Sequence, residues 1–193
     1  MNRGRGGGPV WGILDELGSH SSRAEGRARQ RIARLKPEVF PELVRALRHH
    51  PNAYARSVAA SALVRFGRRA RPGLRRALRD PAMPVRLHAL LALDRVWDRT
   101  VASAVIRLLD DPSGGVRINA IAVLARRRVK GAAGALVRRL DDPKWYVRQQ
   151  AARALGELGV VRARVPLMRA ALDPRKAVRD AAGEALARIE RVR

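Results

Sequence analysis

Small and aliphatic residues recur through most of the chain at helical spacing. In one stretch they are Val147, Ala151, Ala154, Leu155 and Leu158, the i, i+4, i+7, i+8 stripe of an amphipathic helix. The stripe itself repeats. Five prolines, Pro51, Pro81, Pro112, Pro143 and Pro174, stand 30, 31, 31 and 31 residues apart. Five places after each is an arginine (Arg56, Arg86, Arg117, Arg148, Arg179), and eight places after is an alanine (Ala59, Ala89, Ala120, Ala151, Ala182). Twelve places after is a leucine (Leu63, Leu93, Leu124, Leu155, Leu186). Columns kept through five blocks mark an internal repeat. They predict one helix per block, with the alanines letting neighbours approach closely and the leucines filling a core.

A second apolar stretch precedes each proline, for example residues 101–109 and 132–140. Proline lacks an N–H and disfavours the α conformation in the residue before it, so the preceding helix stops there. Each block therefore predicts helix, tight turn, helix. The first block is degenerate, with His50 before Pro51 where later blocks have Asp, and Ala55 where they have Val. Terminal repeats of a solenoid are often atypical. Upstream, residues 23–35 predict a basic helix and 11–17 a short helical piece. The expected organisation is a disordered basic tail over 1–8, an N-terminal helical cap over 9–36 and a repeat array over 37–193.

The segments LDDPSGGVRINAIAVLARR, LDDPKWYVRQQAARALGELG and LDPRKAVRDAAGEALARI carry an aspartate and proline, then Val-Arg, then an Ala-rich helix. They resemble HEAT-like repeats of the short type found in phycobilisome lyases, and the resemblance extends over residues 37–190. It implies an all-α fold, an α-solenoid in which about five helical hairpins stack as a right-handed superhelix. About activity it is nearly silent, because one fold hosts many functions.

Composition agrees with close-packed helices: 47% of residues are hydrophobic and only 4% aromatic, whereas strands favour aromatic and β-branched side chains. The chain has no cysteine, which excludes disulfides, thiolate metal sites and thiol nucleophiles. No signal-peptide core or membrane-length apolar run is evident, so a cytoplasmic location is expected. The net charge of +24, from 41 basic and 17 acidic residues, favours anionic partners. Only four of the cations are lysine; coding bias would explain arginine in place of lysine, but not the scarcity of acids.

Two arginine rows compete as binding sites. In the resembling repeats the Val-Arg arginine pairs with a turn aspartate of its own or a neighbouring repeat, and Asp80, Asp111, Asp142 and Asp173 are placed for that. Arg56, Arg86, Arg117, Arg148 and Arg179 are accordingly expected to form a structural ladder. The other row lies fourteen places after each proline: Arg65, Arg95, Arg126, Glu157 and Arg188. Helical spacing puts His88, Asn119, Gln150 and Arg153 on the same face. In the resembling folds second helices line the concave side, so these residues predict a polar groove with positive rims. Tyr54, Trp145 and Tyr146, just after their prolines, either stack bases beside such a groove or pack over the turn. Trp11 and Trp97 read as structural. Clusters at Arg68, Arg69, Arg71, Arg75, Arg76 and Arg79, and at Arg126, Arg127, Arg128 and Lys130, suit non-specific phosphate contacts or ordinary solvation.

Enzymatic readings fare poorly. HEAT-like di-iron hydroxylases carry His-Glu pairs, and the four histidines here, His20, His49, His50 and His88, form none. HEAT-like alkylpurine DNA glycosylases need an aspartate among tryptophans, whereas the acids expected on the groove, Glu157 and Glu184, have no tryptophan at adjacent helical spacing. A phycobilin lyase activity does not follow from the repeat alone. The expected function is a non-enzymatic scaffold with a basic groove, without cofactor, metal or evident small-molecule substrate. Its expected partner is an anionic macromolecule, nucleic acid or an acidic protein; a DNA glycosylase is the remote alternative.

Overall fold

The computed structural model describes residues 8–16 and 22–191. The expected basic tail, apart from Gly8, lies outside them. The chain forms two compact units, Met1–Val101 and Ala102–Arg193. Among the described residues the regular elements are α-helices and short 3-10 turns.

The first unit holds α1 (Pro9–Asp15), α2 (Ser22–Arg34), α3 (Phe40–His49), α4 (Ala53–Ala62), α5 (Arg71–Ala77) and α6 (Met83–Arg95). These pair as hairpins, α1 on α2, α3 on α4 and α5 on α6; the second helices then stack, α2 on α4 and α4 on α6. The cap expected over 9–36 is thus a degenerate hairpin in its own right. The second unit holds α7 (Ala102–Arg107), α8 (Gly114–Arg126), α9 (Ala133–Arg138), α10 (Trp145–Glu157), α11 (Arg164–Ala170) and α12 (Lys176–Glu190). Here α8 packs on α10 and α10 on α12, with α7, α9 and α11 as the partners in each hairpin.

The repeat columns form the core. All five column alanines are fully buried, as are Leu63, Leu93, Leu124 and Leu155; Leu186 is only half-buried. Close approach is greatest between α10 and α12, where a Cβ on Gly156 would lie 2.7 Å from the Ala185 Cα. Backbone meets backbone at that crossing. Turn chemistry closes the hairpins. Before the prolines, His50, Asp111 and Asp142 are extended (ψ 130°, 140° and 141°), as a following proline demands. At the other end, Gly67, Arg128 and Gly159 take positive φ of 56°, 50° and 63°. After α8 and α10 the N–H groups of Val129 and Val160 bond back to the carbonyls of Leu124 and Leu155, at 2.9 and 3.1 Å, a left-handed cap that satisfies otherwise orphaned helix carbonyls.

Candidate binding surface

At the turns, each column arginine is committed to the fold. Arg117 donates from Nη1 to the carbonyls of Asp111 and Pro112 at 2.9 and 3.2 Å, closing its own turn. From Nε and Nη2 it donates to both carboxylate oxygens of Asp142, at 2.8 and 2.7 Å. Asp142 in turn accepts the Lys144 N–H at 3.0 Å. Arg56 makes the same fork to Asp80 and Arg148 to Asp173, and Arg86 and Arg179 donate to the carbonyls of their own turns. Bidentate, charge-assisted bonds of this kind fix geometry as well as adding energy. The fork from Arg148 holds the Asp173 carboxyl below the usual carboxylate range, against burial. At Asp80 burial pushes the value up, but the Arg56 fork and the Ala82 N–H outweigh it.

The degenerate first block keeps this turn with different atoms. His50 Nδ1 accepts the Asn52 N–H at 3.2 Å, where Asp80 Oδ1 accepts that of Ala82 at 2.9 Å. His50 is 3% exposed, stacks on Trp11 at 5.0 Å between centroids and brings Nε2 within 3.3 Å of Asp15. Burial lowers its pKa below 6.5, more than Asp15 raises it. The histidine and tryptophan therefore bind the first hairpin to the next.

The outer row of the second helices is a different surface. In the first unit Arg65 and Arg95 share a cleft of about 620 Å³ with Arg29, Ser61 and His88, floored by Ala33, Val64, Leu91 and Ala92. Among the described residues no carboxylate lines it. Ser61 Oγ and His88 Nδ1 are 2.9 Å apart. Arg65 is exposed but anchored, donating to the carbonyls of Ile32, Ala33 and Leu35 at 3.0, 3.0 and 2.8 Å. A cation there completes the C-terminus of α2. In the second unit Arg126, Arg128, Glu157 and Arg188 line one shallow cleft with Gly156. Arg153 is exposed, and Gln150 and Asn119 are half-buried. The Asn119 amide donates to the Gly115 carbonyl at 2.8 Å, a local bond within α8.

Among the aromatics, Tyr54 is half-buried at the start of α4. Trp145 is 41% exposed and meets Tyr146 edge-on at 5.9 Å, while the Tyr146 hydroxyl occupies the space a side chain on Gly114 would need. Tyr146 thus packs over a neighbouring turn and Trp145 faces solvent. The row's spacing could not show that Arg65 reaches across to α2, because the cap's register departs from the repeat. Among the described residues no group of three or more His, Asp or Glu could hold a metal ion, and no helix is long and apolar enough to cross a membrane.

The HEAT-repeat profile matches residues 40–115 and 102–187. No curated protein sequence matches the chain. Among solved structures the chain is similar to phycocyanin lyase CpcE and CpcF from Nostoc sp., at 22% identity and TM-score 0.59 over 78% of this chain and 99% of that one. It is also similar to human deoxyhypusine hydroxylase, at 20% identity and TM-score 0.57 over 96% and 86%. A computationally designed armadillo repeat protein for modular peptide recognition aligns at 18% identity and TM-score 0.60 over 92% and 98%. At these identities the likeness is one of fold, and with the profile spanning most of the sequence, the chain belongs to the HEAT-repeat family.

Proposed function

We propose that this HEAT-repeat chain is a non-enzymatic scaffold that binds an anionic macromolecule, nucleic acid first, along the outer faces of its second helices. One observation carries the reading. The Asp80, Asp142 and Asp173 carboxylates are committed to ladder arginines, while among the described residues the lining of the cleft that Arg65 and Arg95 share includes no carboxylate. Exposed arginines such as Arg95 attract phosphates, which release their counterions on binding. The apolar floor of the same cleft favours a second reading, an acidic peptide whose aliphatic side chains settle on Val64 and Leu91 between carboxylate contacts.

Anisotropy titrations with random-sequence single-stranded DNA, duplex DNA and RNA at 50 and 200 mM salt test the proposal, beside a labelled polyglutamate peptide. Nucleic acid binding that weakens at least about tenfold between the two salts supports it. Binding of the polyglutamate peptide with no nucleic acid binding at the lower salt would transfer the site to an acidic protein.

A further inference from the structure

One helix of the second unit is apolar on two opposite sides. α11 and the 3-10 turn leading into it bury Ala163, Leu167 and Ala170. Facing away from that core, Val161, Val165, Met168 and Leu172 are 52%, 59%, 54% and 84% exposed. Val165 and Met168 stand on α11 itself, about 60° apart at about 100° per residue, with Val161 in the 3-10 turn before it and Leu172 in the turn after it. A helix that meets solvent on such a face is ordinarily polar there.

Repeat packing does not call for the ridge. One period of 31 residues earlier, the corresponding positions are Lys130, Gly134, Val137 and Asp141, and one period before that Ser103, Ile106 and Asp110 match the last three. Lys130, Gly134, Asp141, Ser103 and Asp110 are all exposed, and only Val137 and Ile106 are half-buried. The α9 hairpin has a neighbour on each side, so a further repeat would not cover Val161, Val165 or Leu172 either. At three of the four positions, those of Val161, Val165 and Leu172, this hairpin carries an aliphatic side chain where the other blocks carry a polar or minimal one in solvent.

We propose that the ridge of Val161, Val165, Met168 and Leu172 docks one amphipathic helix of a partner protein, apolar along one stripe and acidic on both sides of it. The sequence spacing i, i+4, i+7, i+11 matches the register in which a partner helix lays its own anchors into another surface. The flanks select the charge. Arg162 and Arg169 lie on one side of the ridge and make no ion pair among the described residues. Arg164, on the other side, reaches Glu190 at 3.7 Å. A second copy of this chain would bring the same arginines against these and a net charge of +24 against +24, which disfavours self-association. The ridge is one side chain wide and holds no aromatic, whereas helices that lie in a bilayer surface insert a broad face rich in Trp, Phe and Leu. A protein helix is the better fit.

The test uses the full chain and a fluorescein-labelled helical peptide with Leu at i, i+4, i+7 and i+11 and Glu on both flanks. At 150 mM salt the peptide should bind, and a peptide with Lys in place of Glu should bind at least about tenfold more weakly. Val165→Glu combined with Leu172→Glu should weaken binding at least about tenfold, and Val165→Ser with Leu172→Ser should weaken it without adding charge. Both pairs are exposed, and unfolding curves matching the parent's establish that the fold is intact. No binding of the Glu-flanked peptide, or undiminished binding by the Ser pair, overturns the proposal. So does ridge-dependent sedimentation with phosphatidylserine vesicles, which would assign the face to a membrane, or a ridge-dependent dimer in velocity sedimentation, which would assign it to a second copy.

Discussion

Arg117 sits at the turn of its hairpin and Arg95 on the outer side of a second helix, and the same guanidinium meets opposite surroundings. Arg117 has 8% of its side chain exposed and forks onto an Asp142 carboxylate with none exposed. Arg95 is exposed in a cleft whose lining includes no carboxylate among the described residues. Charge alone distinguishes nothing here; desolvation does. A buried, fully bonded arginine cannot release its partner without leaving an uncompensated charge. An exposed one gives up only weakly held water and is free to bind phosphate. The turn row is therefore assigned to the fold and the outer row, by our proposal, to the partner.

The largest expected effect comes from breaking the turn row. Arg117→Ala should destabilise the chain by about 2–4 kcal/mol in denaturant unfolding, because the buried Asp142 loses its bidentate partner and keeps only Arg139, at 3.6 Å, and the Lys144 N–H. A destabilisation below about 1 kcal/mol would mean the ladder is ornamental. Acid should act on the same row. The Asp80 and Asp173 carboxyls titrate below their ordinary value of 3.8 in the folded chain, so their contribution is present above that value and lost as pH falls through the lower folded one. Thermal unfolding should show stability dropping below about pH 4, and Asp173→Asn should blunt the drop. His50 adds an earlier, smaller step: its folded pKa is below 6.5, so stability is full above 6.5 and begins to decline as pH falls below it. An NMR titration that placed His50 above 6.5 would contradict the burial that holds it neutral.

Smaller effects sharpen the boundary between the rows. Arg65 stands in the outer row yet completes the C-terminus of α2, so Arg65→Ala should cost about 1 kcal/mol. Arg128 holds positive φ where Gly67 and Gly159 stand in other blocks. Arg128→Gly should stabilise the second unit by about 1 kcal/mol in unfolding midpoint terms, since that region costs a non-glycine residue about 1–2 kcal/mol. If it also weakens nucleic acid binding, the strain is maintained for the side chain's sake.

The hairpins, their turns and the buried columns are legible in the sequence because each is set by local chemistry repeated five times. Proline dictates the stop, alanine and leucine the packed face, and the aspartate spacing the ladder's partners. The first hairpin is not legible as one, because its helices lack the proline period and its turn to the array substitutes His50 for aspartate. Spacing puts Arg65 on the right face, but its bonds to α2 depend on a tertiary approach that no spacing encodes. The ridge on α11 is hidden for another reason. Val161, Val165 and Leu172 read individually as core residues, and only alignment against Lys130, Gly134 and Asp141 shows them standing at solvent positions.

The smallest expected effect on stability carries the most weight for function. Arg95, Arg153 and Arg188 are exposed and make no ion pair among the described residues, so changing all three to Gln should alter unfolding by no more than about 0.5 kcal/mol per site. The decisive measurement is the dependence of duplex DNA affinity on salt for this triple variant beside Arg117→Ala, each assayed where it is folded. We expect the triple variant to lower the slope of log K against log salt by about 0.9 for each phosphate that its arginines no longer neutralise, while Arg117→Ala leaves the slope unchanged. A triple variant with the parent's slope, or an Arg117→Ala chain with a reduced one, would contradict the division of labour between the two rows.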